Sequence, residues 1–345
     1  MADADAEVIL DFGGVNLKTL YDTKNGATDV YEYLQQVITN YNTLEPQISD
    51  ATRDELITIR DQLMLLSLPA GAEYIVLNKN MKPAPNMRPD QHIRREFMKT
   101  WLDKPKPAGA SKFSVLAKES PHYWSKQDVK RPYWNPYDLL GLFLSKMGPA
   151  PGHGAADMHN FYLPLTAVYA RFCQWIGGNM EPATVPPEDP TKRKKGPKGK
   201  GVGDPSYFYQ CTWDPTTGDF FLGATLAGYA YGGGNETGTW EETLKLKRYD
   251  LLNNFHQFPG TWEYPAAPTH EIQQKTTRFG NCGETYPYLE MLGPHVNDVE
   301  DRRRIHGLAL QRDFSSVVEY STPDFFRFLG PPCINCQALL SFAGI

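Results

Sequence analysis

Three of the five cysteines sit in two short segments far apart in the chain. Asn281-Cys282-Gly283-Glu284 precedes the apolar stretch Tyr286 to Leu292, and Pro332-Cys333-Ile334-Asn335-Cys336 precedes Ala338 to Phe342. Each segment reads as the opening of a helix. A fold that brings the two openings together gathers three thiols and one carboxyl at a single point. No other feature of the sequence restricts the tertiary structure as much.

The spacing has a direct chemical reading. Cys333 and Cys336 are three residues apart at a helix start, so both sulfurs lie on one face, within about 5–6 Å. A helix N-terminus carries exposed amides and partial positive charge, which favour the metal-binding thiolate. Cys282, at a second helix start, supplies a third thiolate. Three protein ligands leave the fourth tetrahedral position of zinc open to water, as in catalytic sites. Glu284, two residues beyond Cys282, can stand beside the ion without binding it and serve as a general base. Two other readings stay open at this point: a structural zinc closed by His295 or His306, and no metal at all. Cys173 and Cys211 read as ordinary buried thiols.

The pairing of Cys282-x-Glu284 with Pro332-Cys333-x-x-Cys336 resembles the motif of the zinc-dependent cytidine deaminase superfamily, in its nucleic-acid and toxin-type branch. The resemblance covers roughly residues 160–345. It implies Zn2+ held by Cys282, Cys333 and Cys336, with Glu284 as the proton shuttle. It implies hydrolytic deamination of cytosine, in which water activated by zinc and Glu284 attacks C4 of the ring. The implied fold is α/β: a three-layer α-β-α sandwich with a mixed sheet, here preceded by a mostly helical N-terminal region. Leu165 to Ile176 and the hairpin Tyr207 to Leu226 would supply the helix and strand pair that precede the first motif. The sequence departs from the pattern in three ways. Pro287 removes a backbone donor early in the first helix and implies a distorted or delayed start. The distance between the motifs is long, with 294–304 read as an inserted loop and Phe314 to Tyr320 as a strand. The sequence given ends at Ile345, about where the second cysteine helix ends; either a segment such as Ile305 to Gln311 completes the sheet, or this is a minimal or degenerate member.

Periodicity organises the rest. Val30, Leu34, Val37, Ile38 and Tyr41 follow helical spacing. A second helix follows the capping pair Ser49-Asp50, turns Leu56, Ile59, Leu63 and Leu66 inward and stops before Pro69. A third is expected over His92 to Leu102. Residues 103–136 read as a loop, and Leu139 to Met147 as a helix. The expected division is a helical region over 1–105, a connector over 106–159 and the zinc domain over 160–345. Tyr207, Tyr209, Cys211 and Trp213 alternate along a strand, Asp214 to Gly218 is turn chemistry, and Phe220 to Leu226 returns. His270-Glu271-Ile272-Gln273-Gln274 begins like a zinc-protease helix but has Gln274 where the second histidine should be.

Charge bears on partners. The formal charge is −5, yet Lys192 to Lys200 alone holds six basic residues. Outside that cluster 29 basic residues face 40 acidic ones. The cluster lies in a Pro-, Lys- and Gly-rich stretch, 179–205, expected to be a disordered basic loop. It reads as a solvated linker, a nuclear-import signal or a phosphate contact. The acidic start Met1-Ala2-Asp3-Ala4-Asp5 is not a secretory leader, and no apolar run approaches a membrane span. An intracellular protein, nuclear or cytoplasmic and without a membrane partner, is expected. Candidate substrate contacts are Phe279, Asn281, Tyr286, Phe326 and Pro332. Phe325 could also stack on a base. Arg302, Arg303 and Arg304, with the segment Lys245 to Arg248, are candidate phosphate contacts. These patches favour cytosine in DNA or RNA. A free-cytidine deaminase and an inactive zinc-stabilised binding protein are the alternatives.

Overall fold

Val30, Leu34, Val37 and Ile38 are all buried on one face of α2 (Ala27–Thr39). The residue capping this helix, Gly26, offers no side-chain bond. A cap is worth about 1 kcal/mol, whereas each of these four side chains contributes roughly 1.5–3 kcal/mol on burial. Packing, not capping, therefore holds α2. The computed structural model describes residues 8–24, 26–67, 122–126, 129–133, 136–152, 154–176, 206–226, 248–254, 280–292 and 299–343.

A two-residue strand pair, β1 (Asp11–Phe12) and β2 (Val15–Asn16), leads into α1 (Leu17–Tyr21). The Asn16 side chain caps α1 by accepting from the Lys18 amide at 3.1 Å. Gly13, in the turn between the strands, has φ +59°, and a Cβ there would lie 2.6 Å from the Met147 methyl. Conformation and space both demand glycine at that point. In α3 (Asp50–Ser67) the Ser49 hydroxyl accepts from the Thr52 amide at 3.1 Å, and Leu56, Ile59 and Leu63 turn inward. The helix expected at 92–102 lies outside the described residues, as does the basic stretch 179–205.

The stretch read as a connector carries more structure than its composition suggests. His122–Lys126 (β3) and Val129–Tyr133 (β4) form an antiparallel hairpin in place of the expected loop. The helix α4 (Pro136–Lys146) is buried almost throughout. Helix α5 (Leu163–Ile176) is entered through a π-helical turn, Met158–Tyr162, with Asp157 and Asn160 capping each other. Helices α1, α2 and α3 pack on α4 and α5, and one apolar cluster runs from Phe12 to Leu339.

Strands β5 (Phe208–Trp213) and β6 (Phe220–Ala224) form the expected hairpin, with Cys211 opposite Leu222. On its other edge β5 pairs with β7 (His306–Gln311), which pairs with the short β8 (Leu329–Gly330). Along the chain, α6 (Thr285–Pro287) and α7 (Val299–Arg303) precede β7, and α8 (Ile334–Ala343) follows β8. The strand order is β6-β5-β7-β8. The fold is thus a mixture of helices and antiparallel sheets. Among the described residues every pairing is antiparallel, which corrects the expectation of a mixed sheet. A parallel neighbour needs a long crossover, usually helical. Here short helical turns, including Arg312–Ser316 and Phe326–Phe328, reverse the chain between β7 and β8. The strand expected at 314–320 is likewise corrected: Phe314 lies in the first of these turns. The strand is His306–Gln311, within the segment named as one that could complete the sheet.

Both faces of β5 are buried. Tyr209 meets the Tyr169 ring of α5 edge-on at 5.8 Å, and Trp213 stacks on Tyr162 at 4.4 Å. Gln210 and Thr212 point to the opposite face, where the cysteine segments lie.

Candidate metal centre

The first cysteine segment is docked against the end of β6. The Leu226 amide donates to the Asn281 carbonyl at 3.0 Å. A Cβ on Gly223 would collide with the Gly283 carbonyl oxygen and lie 2.8 Å from Pro287 Cδ. Only a glycine in β6 lets the Cys282–Glu284 turn come this close. Beyond it runs α6, continuing as a π-helical turn over Tyr288–Leu292. The helix thus starts late and loses its regular register within a turn, in line with the missing amide of Pro287. The second segment opens α8. The two are tied where the Tyr288 hydroxyl donates to the Leu339 carbonyl at 3.1 Å.

This docking brings the three thiols together. The sulfurs of Cys282 and Cys333 are 3.2 Å apart, and those of Cys333 and Cys336 are 3.4 Å apart. All three lie within 4.8 Å of one another and could hold a metal ion. No disulfide joins them. Zinc–sulfur bonds of about 2.3 Å at tetrahedral angles require sulfurs roughly 3.8 Å apart. The residues present fit such an ion with a shift of about half an ångström. Among the described residues no histidine joins the cluster, His306 included, and His295 lies outside them. Cys173 and Cys211 are buried elsewhere in the core, as expected.

The electrostatics follow from crowding. Hydrogen bonds with Cys282 and Cys336 hold the Cys333 thiol well below the usual thiol range, and its two neighbours rise in consequence. The Glu284 carboxyl is pushed up to about 7, first by burial and then by the Cys333 charge. Glu284 and Cys336 line one cavity of about 180 Å³. Gln210 and Thr212 of β5, His306 of β7 and Leu339 of α8 form other parts of its wall. The volume lies below the roughly 300–1,000 Å³ of pockets for drug-sized ligands. It suits a single small ring.

The other candidates separate clearly. Pro332 lines the cavity. Asn281 is half-buried, and its carbonyl is engaged by Leu226. Tyr286 is 1% exposed and stacks on Tyr133, so its face is not offered to a base. Phe325 is fully buried among Tyr21, Phe314 and Tyr320. Phe326 packs on His159 at 5.0 Å. Phe279 lies outside the described residues. Arg302 and Arg303 belong to the short helix α7, in the stretch expected to be an inserted loop. Arg303 pairs with Glu300 at 2.8 Å, and Arg304 with buried Asp214 at 3.9 Å. Arg248 cannot contact phosphate: it is 1% exposed, with its guanidinium turned into the core.

Sequence reasoning missed Gln210 and Thr212, and it named His306 only as a fourth ligand of a structural zinc, not as cavity wall. A signal for the first two existed. They alternate with Tyr209, Cys211 and Trp213 and mark the second face of a strand that turns out to be covered on both sides. Compared with protein-family models, curated proteins and solved structures, the chain matches none.

Proposed function

We propose that the chain is a zinc-dependent hydrolytic deaminase acting on cytosine in nucleic acid. The observation that carries this reading is the convergence of Cys282, Cys333 and Cys336 beside a cavity that Glu284 also lines. Helix α5 on one face of the β5 hairpin and the cysteine helices on the other support the three-layer deaminase arrangement. Zinc, when bound by the three thiolates, supplies a Lewis acid that lowers the pKa of water.

The chain's own residues do the rest. Glu284 accepts one proton from water as its oxygen bonds to C4 and passes that proton to ring N3; it then accepts the second from the new C4 hydroxyl and passes it to the amine, which leaves as ammonia as the C4–N bond breaks. Leu292, Leu308 and Leu339 wall the cavity with apolar surface and limit competing solvent. Gln210 and Thr212 bring amide and hydroxyl groups to the polar edge of a ring. Arg302, Arg303 and Arg304 lead directly into Ile305 and His306 at the cavity, and basic residues next to the cavity are what a phosphate-bearing substrate would call for. This supports a polymer over a free nucleoside.

The test is metal analysis joined to product analysis for the wild type and Glu284→Ala. One equivalent of zinc in both proteins, with cytosine-to-uracil conversion only in the wild type, is the expected result. Equal conversion by both overturns the role of Glu284, and none by a zinc-loaded wild type overturns the activity. Parallel assays on single strands, duplexes and free cytidine decide the substrate. Conversion of cytidine alone would remove the nucleic-acid reading.

A further inference from the structure

Arg248 is the largest fully buried side chain among the described residues. It is the first described residue of the helical stretch at 248–254. Burying a guanidinium is costly unless its charge and its donors are matched. The charge is matched by Asp138 of α4, also 1% exposed, at 3.4 Å. Nη1 also donates to Asp138 Oδ2, the other terminal donors go to backbone, and Nε has no hydrogen-bond partner among the described residues. Both terminal nitrogens reach the Ala224 carbonyl at the end of β6, at 3.3 Å each. Nη2 also donates to the Cys282 carbonyl at 2.6 Å. The Tyr286 ring lies 5.4 Å from the guanidinium carbon.

The Cys282 carbonyl belongs to the peptide that joins the first sulfur ligand to the Gly283–Glu284 turn. Its other partners, the Thr285 amide at 3.2 Å and hydroxyl at 2.8 Å, lie within the same local turn. Arg248 is the partner that arrives from outside and refers the turn to β6 and α4. An ammonium could replace the charge, but it lacks the planar fork that spans two carbonyls at once.

We infer that Arg248 is a positioning residue for the metal centre: through the Cys282 carbonyl it sets the Cys282 sulfur against Cys333 and Cys336. The inference rests on the reading that the cysteine cluster holds a metal. Groups that orient metal ligands typically change affinity 10–100-fold when replaced.

The test uses the full chain loaded with Co2+, whose thiolate charge-transfer absorption reports the ligand geometry. Arg248→Lys keeps the charge, Arg248→Met removes it, and Asp138→Asn breaks the ion pair while leaving the bond to Cys282. Both Arg248 variants are expected to bind Co2+ at least 10-fold more weakly, with an altered spectrum. Asp138→Asn is expected to keep its affinity within about 3-fold. Should Arg248→Met fail to fold, Arg248→Lys alone decides. A folded Arg248→Lys with wild-type affinity and spectrum overturns the positioning role while the metal reading survives. A wild type that takes up no Co2+ or zinc overturns the metal reading, and the role of Arg248 with it.

Discussion

Tyr286 lies flat against Tyr133, with ring centroids 4.1 Å apart and planes 15° from parallel. The contact joins the first turn after the cysteine segment to β4, a strand in a stretch that reads in sequence as a loop. Tyr286→Ala is therefore expected to lower the unfolding free energy by roughly 3–5 kcal/mol, the range for a buried aromatic. Urea denaturation checks this. A side chain that stacks on substrate would instead leave stability near wild type and raise KM.

Gly223→Ala tests the close approach of the first motif to β6. The new methyl meets the Gly283 carbonyl and Pro287 Cδ, neither of which is a flexible side-chain tip. A loss of about 1–3 kcal/mol is expected from the overpacking, together with weaker zinc retention on dialysis. Gly154→Ala is a useful contrast for space, since nothing lies within 4 Å of its Cβ position, although its φ of +84° still carries backbone strain.

The buried ion pair has a pH signature. Burial pushes the Asp138 carboxyl up to about 6, against the opposing pull of Arg248. Between the ordinary value of 3.8 and about 6 the folded chain holds a proton that the unfolded chain has released. The contribution of this group to stability is thus complete below the lower value and is lost as pH rises through the upper one. Asp138→Asn carries no such dependence. The stability of the wild type relative to Asp138→Asn is expected to fall by about 3 kcal/mol between roughly pH 4 and pH 6.5. A difference that grew with pH would contradict the assignment.

Metal removal should loosen the junction of α6 and α8. An ion present at about 100 times its Kd stabilises the folded state by roughly 2.7 kcal/mol. EDTA is expected to lower the Tm of the wild type and to leave Cys333→Ser unchanged. Cys173→Ala, distant from the cluster, should keep the EDTA response, even though emptying its buried site costs stability of its own.

Local physics makes several parts of this protein legible from residue order alone. The period of Val30, Leu34, Val37 and Ile38 defines α2, and alternation from Tyr207 with turn chemistry at Asp214 defines the β5–β6 hairpin. Pro287 announces a distorted helix because a missing amide acts on its own turn. These signals operate over a few residues and need no distant partner. The cysteine spacing likewise names the sulfurs that lie side by side in the fold.

What sequence could not carry were the properties that depend on which surfaces meet. Strand direction beside β7 follows from how short turns reverse the chain, so among the described residues the expected mixed sheet gives way to antiparallel pairing. Arg248 reads as a surface cation because charge predicts exposure on average. Only the fold supplies Asp138 and two backbone carbonyls to receive it inside. Gln210 and Thr212 become cavity wall because β5 is covered on both faces, and burial on a second face is a property of the assembled layers. Residue types and spacings along the chain determined the candidate chemistry. The enclosure of that chemistry was decided by tertiary packing, because desolvation and long-range hydrogen bonds exist only once distant segments touch.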